Sequence, residues 1–328
     1  MYVPHTFAAA LVMTIISTLC WGSWANTFKG TRGYRFELFY WDYALGICAV
    51  ALVLALTLGS LRADGTDFIA NVHASDGANI LAAVLAGVIF NVANLLLVAG
   101  IDMAGLSIAF PVAIGIALVV GVVLSYAQQP RGSPVLLAIA VVFAVLAVIC
   151  DGRAYGRLAG GGRTVSRRSI LVCVISGILM GLFAPVVSHA LSSGRALGPY
   201  GVGVFFTLGA LGCCFFANIY LMRRPLVGAP VDFRDFFAAG MRNHALGFAG
   251  GCIWGLGTVF NFVAASLTGV AISYAIGQAA PMVAAAWGLL VWREFRGATA
   301  AARVNLALMF VFFVTAIALV SLAYGQGG

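Results

Sequence analysis

Seven aromatic or polar side chains lie inside long apolar stretches of the sequence, where polar groups cost free energy and tend to be functional. They are Trp21, Trp24, Asn91, Asn94, Asn261, Tyr274 and Gln278. Indole faces stack on flat heterocycles and on the apolar faces of sugars. Amides and hydroxyls match the hydrogen-bonding edges of such molecules. The set therefore predicts a substrate-binding site for a small neutral polar solute.

Spacing supports this interpretation, but each side chain also has a structural alternative. Trp21 and Trp24 are three residues apart, as are Asn91 and Asn94, so each pair shares one face of a helix. Amides inside membrane helices also join neighbouring helices, at about 0.6 kcal/mol per contact. Tryptophan is frequent at membrane interfaces, which is the alternative for Trp24. Both interpretations stay open from the sequence.

Acidic residues are absent from the middle of every predicted apolar stretch. Asp42 stands at the start of the second stretch, where a carboxylate caps a helix or favours its dipole. A role in proton coupling is the alternative for Asp42, which is our candidate coupling residue. Asp102 is predicted to lie in an external hairpin. A carboxylate deep in the membrane is therefore not expected.

Enzyme motifs are missing from the sequence. It contains no HExxH, no GxSxG and no lysine in its glycine-rich stretch at 160–164. The seven cysteines form no CxxC pair and read as small apolar residues. We predict no enzyme activity, no catalytic residue, no metal and no cofactor.

Composition requires a membrane environment. Hydrophobic residues make up 62% of the 328 residues and charged residues only 9%, with a mean hydropathy of +1.05. A soluble domain carries about a quarter charged residues. The net charge of +8 comes from basic residues in short gaps between apolar runs. That pattern indicates membrane orientation, and no nucleic-acid partner is expected.

Ten apolar runs are long enough to span the bilayer, and we number them as spans 1 to 10. Their predicted bounds are about 7–27, 42–61, 78–100, 104–127, 134–151, 169–191, 201–222, 244–266, 269–292 and 304–323. An external N-terminus puts fifteen of the eighteen Lys and Arg residues inside and leaves Arg62, Arg131 and Arg195 outside. The excess of basic residues in cytoplasmic loops predicts this orientation. Both termini are then periplasmic or extracellular, in an inner (plasma) membrane protein.

The halves of the chain resemble each other. Shifting the sequence by half its length aligns Gly87-Val88-Ile89-Phe90 with Gly251-Cys252-Ile253-Trp254, and Gly105–Phe110 with Gly269–Tyr274. Five spans per half place the copies in opposite orientations. The predicted fold is an all-α membrane protein with ten transmembrane helices as two inverted five-helix repeats, 1–151 and 169–328, joined by a basic cytoplasmic linker at 152–168. Such repeats are typical of secondary transporters with a midplane site, although two glycine-rich hairpins also align by chance.

Small residues four apart predict where helices approach closely in lipid. Gly247, Gly251 and Gly255 have this spacing on span 8, and Gly177 and Gly181 have it on span 6.

Several motifs resemble those of plant ureide permeases and their bacterial relatives. They are Gln278–Val283, Trp287–Leu290 and Glu294–Arg296 near span 9, Trp41–Leu45 on span 2, Asn91–Asn94 with Gly105–Ser107 on spans 3 and 4, and Trp21-Gly22 on span 1. The last is also similar to a motif of glucose/ribose porters, and span 4 resembles that of rhamnose transporters. The resemblance implies the drug/metabolite transporter superfamily.

The resemblance further implies secondary active uptake of an allantoin-like ureide, a nucleobase or a monosaccharide by alternating access. Protons are the candidate coupling ion. The partners are thus the solute, protons and the lipid bilayer, and the oligomeric state is open. An exporter of drugs or metabolites from the same superfamily is one alternative function. A non-transporting membrane scaffold is another.

Overall fold

The computed structural model describes residues 1–61, 66–158 and 166–325, and these form helices and connecting loops without a strand. Ten helices are long and apolar enough to cross a membrane, as predicted. Spans 1 to 10 run over Phe7–Lys29, Phe36–Ser60, Gly77–Ala104, Leu106–Gln128, Pro134–Leu158, Arg167–Ser192, Pro199–Arg223, Met241–Thr268, Val270–Leu290 and Ala300–Gly325. Two short helices, Phe68–Ala74 and Phe233–Ala238, lie in loops.

Local irregularities occur in spans 1, 7 and 9. Span 1 consists of Phe7–Ser23 and Ala25–Lys29, with Trp24 between them. Span 7 contains one π-helical stretch at Cys214–Asn218, a feature that is frequent at functional sites. Span 9 is broken between Gly277 and Ala280, so that its second half begins with proline at an early position. Proline is tolerated there because that N–H has no helical partner anyway.

Two tight hairpins join spans 3 and 4 and spans 8 and 9, as the short gaps predicted. Gly105 and Gly269 make the turns with φ of 79° and 83° and ψ of 159° and 151°. Glycine suits these positions because residues with a Cβ rarely adopt such angles. The two glycines are separated by half the length of the chain.

The close approaches predicted from small residues are confirmed. A methyl group at Gly251 would overlap the carbonyl oxygen of Tyr43 on span 2, and one at Gly177 would lie 2.6 Å from the carbonyl oxygen of Ala113 on span 4. Span 8 therefore packs on span 2, and span 6 on span 4, with backbones almost in contact. Packing of this kind is how helices associate where water supplies no driving force.

One end of the bundle carries most of the basic residues, and we call it the basic end. Span 1 finishes there at Lys29, and span 2 starts there at Phe36. A cleft at this end brings Asp102 close to Glu37 and Val227. The prediction that Asp102 lies in an external hairpin, on the side opposite the basic loops, is therefore wrong. The hairpin follows three spans, an odd number, and so lies at the end opposite the N-terminus.

Two boundaries differ from the sequence prediction in a way that affects function. Span 2 begins at Phe36 rather than at 42, because buried aromatic residues continue the helix backwards. Span 5 runs on to Leu158 rather than ending at 151. Asp42 and Asp151 both lie inside helices and are buried, with 7% and 3% exposure. Helix capping by Asp42 is therefore wrong, and both acids lie about two turns inside the ends of their helices.

The predicted linker at 152–168 begins inside this longer helix. Residues 159–165 of the linker, including Arg163, lie outside the described residues, as does Arg62.

Candidate functional site

A cluster of aromatic rings fills the middle of the bundle. Phe90 on span 3 and Trp254 on span 8 are each the fourteenth residue of a 28-residue helix. Their rings stack 4.5 Å apart with an interplanar angle of 24°. Phe206 of span 7 and Phe183 of span 6 lie 5.4 and 5.6 Å from the Phe90 ring. Four helices thus meet around these rings, with Phe90 and Trp254 at the middle of their helices, and we call this the aromatic cluster.

The aromatic cluster includes both tryptophans predicted from the sequence. Trp21 stacks on Trp254 at 6.1 Å with an angle of 16°. Trp24 lies 4.8 Å from Tyr43, whose ring is 6.3 Å from Trp254. The contact with Tyr43 directs Trp24 into the protein and argues against a purely interfacial role. Spans 1 and 2 therefore contribute one wall of the cluster.

Polar groups from spans 8 and 9 lie beside this wall. The indole N–H of Trp21 donates to Thr258 Oγ1 at 3.0 Å. Asn261 donates to the carbonyl oxygen of Ser273 at 3.0 Å and so ties span 8 to span 9. A methyl group at Gly277 would meet the Trp21 ring at 2.7 Å and the Asn261 amide nitrogen at 3.2 Å. Trp21 and Asn261 are therefore brought together at the break in span 9.

Gln278 lies in that break and is half-buried. Within the described ranges its side-chain amide makes no hydrogen bond. The break ends the first helical segment of span 9, and the backbone N–H groups of Gln278 and Ala279 still bond to the carbonyl oxygens of Tyr274 and Ile276. Gln278 is the predicted residue with the most freedom to contact a solute.

The two asparagines of span 3 have different surroundings. Asn94 donates to the hydroxyl of Tyr40 at 3.2 Å, next to the aromatic cluster. Asn91 accepts from the Cys214 thiol at 3.5 Å, in the π-helical part of span 7. Asn94 therefore bonds to span 2, whereas Asn91, the residue after Phe90, faces span 7, which also contributes Phe206 to the cluster.

Tyr274 is fully buried and contacts the cluster through its ring edge, 5.7 Å from Phe183. Its hydroxyl donates to the carbonyl oxygen of Met180 at 3.2 Å and lies 3.5 Å from that of Ala117. Since these carbonyls belong to spans 6 and 4, the hydroxyl connects three helices. The structural role is well supported for this residue.

Several buried polar groups lack a hydrogen-bond partner within the described residues. Two of them are the hydroxyl of Tyr43, whose ring contacts Trp24, and the amide nitrogen of Asn91, the residue after Phe90. An unpaired buried donor costs about 1–3 kcal/mol, so such groups are rare unless something else binds them. These two atoms are the best candidates for direct contact with a solute.

Asp42 lies between the cluster and the basic end, in a small polar group. Its carboxylate accepts from the Tyr34 hydroxyl at 2.8 Å and lies 3.0 Å from His244 Nδ1. Gly247, one turn after His244, leaves room for the carboxylate. Burial and the adjacent Asp42 carboxylate raise the pKa of Tyr34 above its ordinary value, so this hydroxyl remains a donor.

Sequence reasoning missed Tyr34, Tyr43, His244, Trp254 and Thr258. Trp254 could have been predicted from the sequence, because shifting the chain by half its length aligns it with Phe90. Tyr43 lies in the motif Trp41–Leu45. Tyr34, His244 and Thr258 gave no signal, since their partners are distant in the sequence. Among the described residues, no three His, Cys, Asp or Glu side chains are grouped as metal ligands would be.

Comparison with known proteins finds similarity to ureide permeases. The Ureide permease family model matches residues 165–323. Ureide permease 1 of Arabidopsis thaliana is 21% identical over 389 aligned residues, which cover 99% of this chain and 100% of the relative. Ureide permease 4 of the same organism is 21% identical over 400 residues, with the same coverage. The chain is thus similar to proteins named ureide permeases over nearly its whole length.

The similarity covers 99% of this chain. The similar proteins are named permeases, in agreement with the prediction that the protein is not an enzyme. Ureide permease 5 of Arabidopsis thaliana is 22% identical, over 99% of this chain and 96% of the relative. A crystal structure at 16% identity superposes with a TM-score of 0.61, covering 95% of this chain and 97% of that one. That likeness concerns the fold alone. The wider resemblance to the drug/metabolite superfamily, glucose/ribose porters and rhamnose transporters remains a prediction.

Proposed function

We propose that this protein is a secondary transporter that takes up a small neutral ureide or a similar flat, polar solute. The observation that carries the proposal is the aromatic cluster at mid-membrane depth, with the unpaired Tyr43 hydroxyl and Asn91 amide beside it. A ureide offers a flat face for stacking and N–H and C=O edges for hydrogen bonds. The relatives named as ureide permeases support the same class.

Within this proposal the predicted residues divide into two groups. Trp21, Trp24 and Gln278 contact the solute together with Tyr43 and Asn91. Asn94, Asn261 and Tyr274 hold the walls in place, because each already has a hydrogen-bond partner on another helix. Nucleobases share the required chemistry and are the second solute class. A monosaccharide stacks by its apolar face and is the third.

We also propose that the two halves are inverted repeats that move by alternating access. Helix packing supports this. A methyl group at Gly87 or Gly209 would overlap the backbone across the contact of spans 3 and 7. Gly251 and Gly46 have the same relation across the contact of spans 8 and 2. These are equivalent contacts when spans 1–5 are exchanged with spans 6–10.

The central ring pair supports the same symmetry. Phe90 and Trp254 are equivalent under the half-chain shift and stack on each other. Equivalent residues touch each other when they lie on a two-fold axis, as at a symmetric dimer interface. The solute site at the aromatic cluster is then at the axis, where inverted-repeat transporters bind.

Orientation and coupling complete the proposal. The basic end faces the cytoplasm of a cell whose inner (plasma) membrane holds the protein, so both termini are external. Uptake is coupled to protons, with Asp42 as a coupling residue. Its contacts with His244 and Tyr34 join span 2 and span 8 and the loop between spans 1 and 2. Tyr43 links the cluster to the coupling residue, because it contacts Trp24 and directly follows Asp42 in the chain. Solute binding at the cluster can thus affect Asp42 through Tyr43.

Proteoliposomes test the function directly. Purified protein is reconstituted, and entry of radiolabelled allantoin is measured with unlabelled allantoin inside, with uracil and glucose as competitors. We expect labelled allantoin to enter the vesicles, and we expect unlabelled allantoin outside to inhibit this entry more strongly than uracil or glucose does. If none of the three solutes is exchanged when each is tested in labelled form, the proposal is refuted. Exclusive loss of apolar dyes from the vesicles would favour an exporter, which the comparisons do not support.

A further inference from the structure

A second buried carboxyl group lies on span 5, outside the aromatic cluster. Asp151 is 3% exposed, and its Oδ1 atom has no hydrogen-bond partner within the part of the chain that the structure describes. Span 5 ends seven residues later, at Leu158, so Asp151 lies about 10 Å from the helix end at 1.5 Å per residue. The 25-residue helix is longer than the roughly 30 Å hydrocarbon layer. Asp151 is therefore near or within the apolar layer.

A row of ionisable groups leads from the basic end towards Asp151. Tyr155 lies one turn further along span 5, on the same face, and its hydroxyl donates to Glu294 Oε2 at 3.4 Å. Glu294 forms an ion pair with Lys29. The side chains of these two residues are 31% and 43% exposed. The row thus begins in water and ends at a buried acid.

No cation lies against Asp151 among the described residues. Span 5 packs against spans 4, 9 and 10. Span 4 contributes only Tyr126 as a titratable residue, near the opposite end, and span 9 contributes only Tyr274 in the aromatic cluster. On span 10, Tyr324 lies near the opposite end and Arg303 is exposed, as is Arg153 on span 5 itself. Among the described residues, the titratable neighbours of Asp151 are thus Cys150 beside it in the chain, Tyr155 and, beyond Tyr155, Glu294.

Burial without a counter-charge determines the state of this carboxyl group. An ionised carboxylate in an apolar environment costs far more free energy than a neutral acid. Asp42 differs, because Tyr34 and His244 are bonded to its oxygens. In the conformation described here, burial favours the neutral form of Asp151, and contact with water would favour its ionisation. That is the behaviour required of a group that carries a proton between two states of a transporter.

We propose that Asp151 is a proton-binding site of the transport cycle that releases its proton at the basic end through Tyr155 and Glu294. The inference rests on the proposed function and adds a second protonation site to it. Only one O–H bond forms and breaks. The proton comes from water on one side of the membrane and returns to water on the other.

The test compares gradient-driven accumulation with exchange in proteoliposomes that contain the full chain. Exchange needs no net proton movement, whereas accumulation under an imposed pH gradient does. Asp151→Asn keeps the size of the side chain but binds no proton. We expect it to retain at least half of the wild-type allantoin exchange and to lose at least tenfold in accumulation, with a flattened pH profile. Asp102→Asn, an exposed acid at the same end, is the control and should accumulate like wild type.

The possible results distinguish failure of the Asp151 proposal from failure of the proposed function. Wild-type accumulation and pH profile in Asp151→Asn would overturn the proposal. If Asp151→Asn does not fold or does not exchange allantoin, Asp151→Glu is tested instead. Gradient-driven accumulation by Asp151→Glu supports proton binding at this position. Exchange without accumulation by this variant overturns the proposal. Absence of exchange in wild-type protein would instead refute the proposed function. In that case, the infrared C=O band of a protonated carboxyl still reports on Asp151, and persistence of the full band in Asp151→Asn would overturn this assignment.

Discussion

Replacing Tyr43 by phenylalanine should stabilise the protein and weaken solute binding at the same time. The Tyr43 side chain is fully buried, and its hydroxyl has no partner in the described structure. A buried polar group left unpaired costs about 1–3 kcal/mol. Phenylalanine removes this cost and keeps the ring that contacts Trp24 and Trp254. The solute-free variant should therefore unfold at a higher temperature than wild type.

Binding should change in the opposite direction. If the solute supplies the missing partner, the variant loses one hydrogen bond, worth about 0.5–1.5 kcal/mol. Since 1.4 kcal/mol corresponds to tenfold, the Kd for allantoin should rise about 2- to 13-fold. Thermal unfolding in detergent measures the stability, and its dependence on allantoin concentration gives the affinity.

Tyr40→Phe is the matched control. The Tyr40 hydroxyl accepts from Asn94 at 3.2 Å, so its removal leaves the Asn94 amide unpaired and should lower the unfolding temperature. Unchanged affinity of Tyr43→Phe would refute solute contact by the hydroxyl. A lower unfolding temperature of solute-free Tyr43→Phe would refute the reasoning about the unpaired group.

Three further predictions concern packing and charge. Gly251→Leu should prevent the close approach of spans 2 and 8, so that size-exclusion chromatography shows little folded protein. The control is Gly115→Ala, which should fold like wild type because a methyl group there meets nothing within 4 Å. Thr258→Val should lose the hydrogen bond to the indole N–H on span 1 and lower the free energy of unfolding by about 1–3 kcal/mol, measured by denaturant titration; an unchanged value would contradict that bond. The backbone N–H and guanidinium of Arg195 lower the pKa of Asp76. The Asp76–Arg195 contact should therefore stabilise the fold fully above about pH 4, the ordinary pKa range of a free Asp. This stabilisation should decrease below that pH, as Asp76 becomes protonated. Unfolding temperatures of Asp76→Asn between pH 3 and 6 should accordingly vary less than those of wild type, and an equal pH dependence would contradict this role.

Helix number was predictable from local pattern, as was the presence of polar and aromatic residues inside the helices. A run of about 20 apolar residues spans a bilayer whatever surrounds it, so all ten spans could be located. Trp21 and Trp24 were recognisable because polar and indole groups inside such runs need a reason to be there. Helix ends were less predictable. The aromatic residues before Asp42 and the residues after Asp151 continue their helices through packing that no local pattern reveals.

Sequence alone thus determined that the chain is a ten-span membrane protein with polar and aromatic residues suited to a neutral solute. Only the tertiary structure decided which of these groups lack partners and which acids are buried. Asn94, Asn261 and Tyr274 are engaged with other helices, whereas Tyr43 and Asp151 have unpaired atoms. The physical reason is that a hydrogen bond or its absence depends on residues far apart in the chain. Hydropathy is a property of each residue, but satisfaction of a buried polar group is a property of the packed bundle.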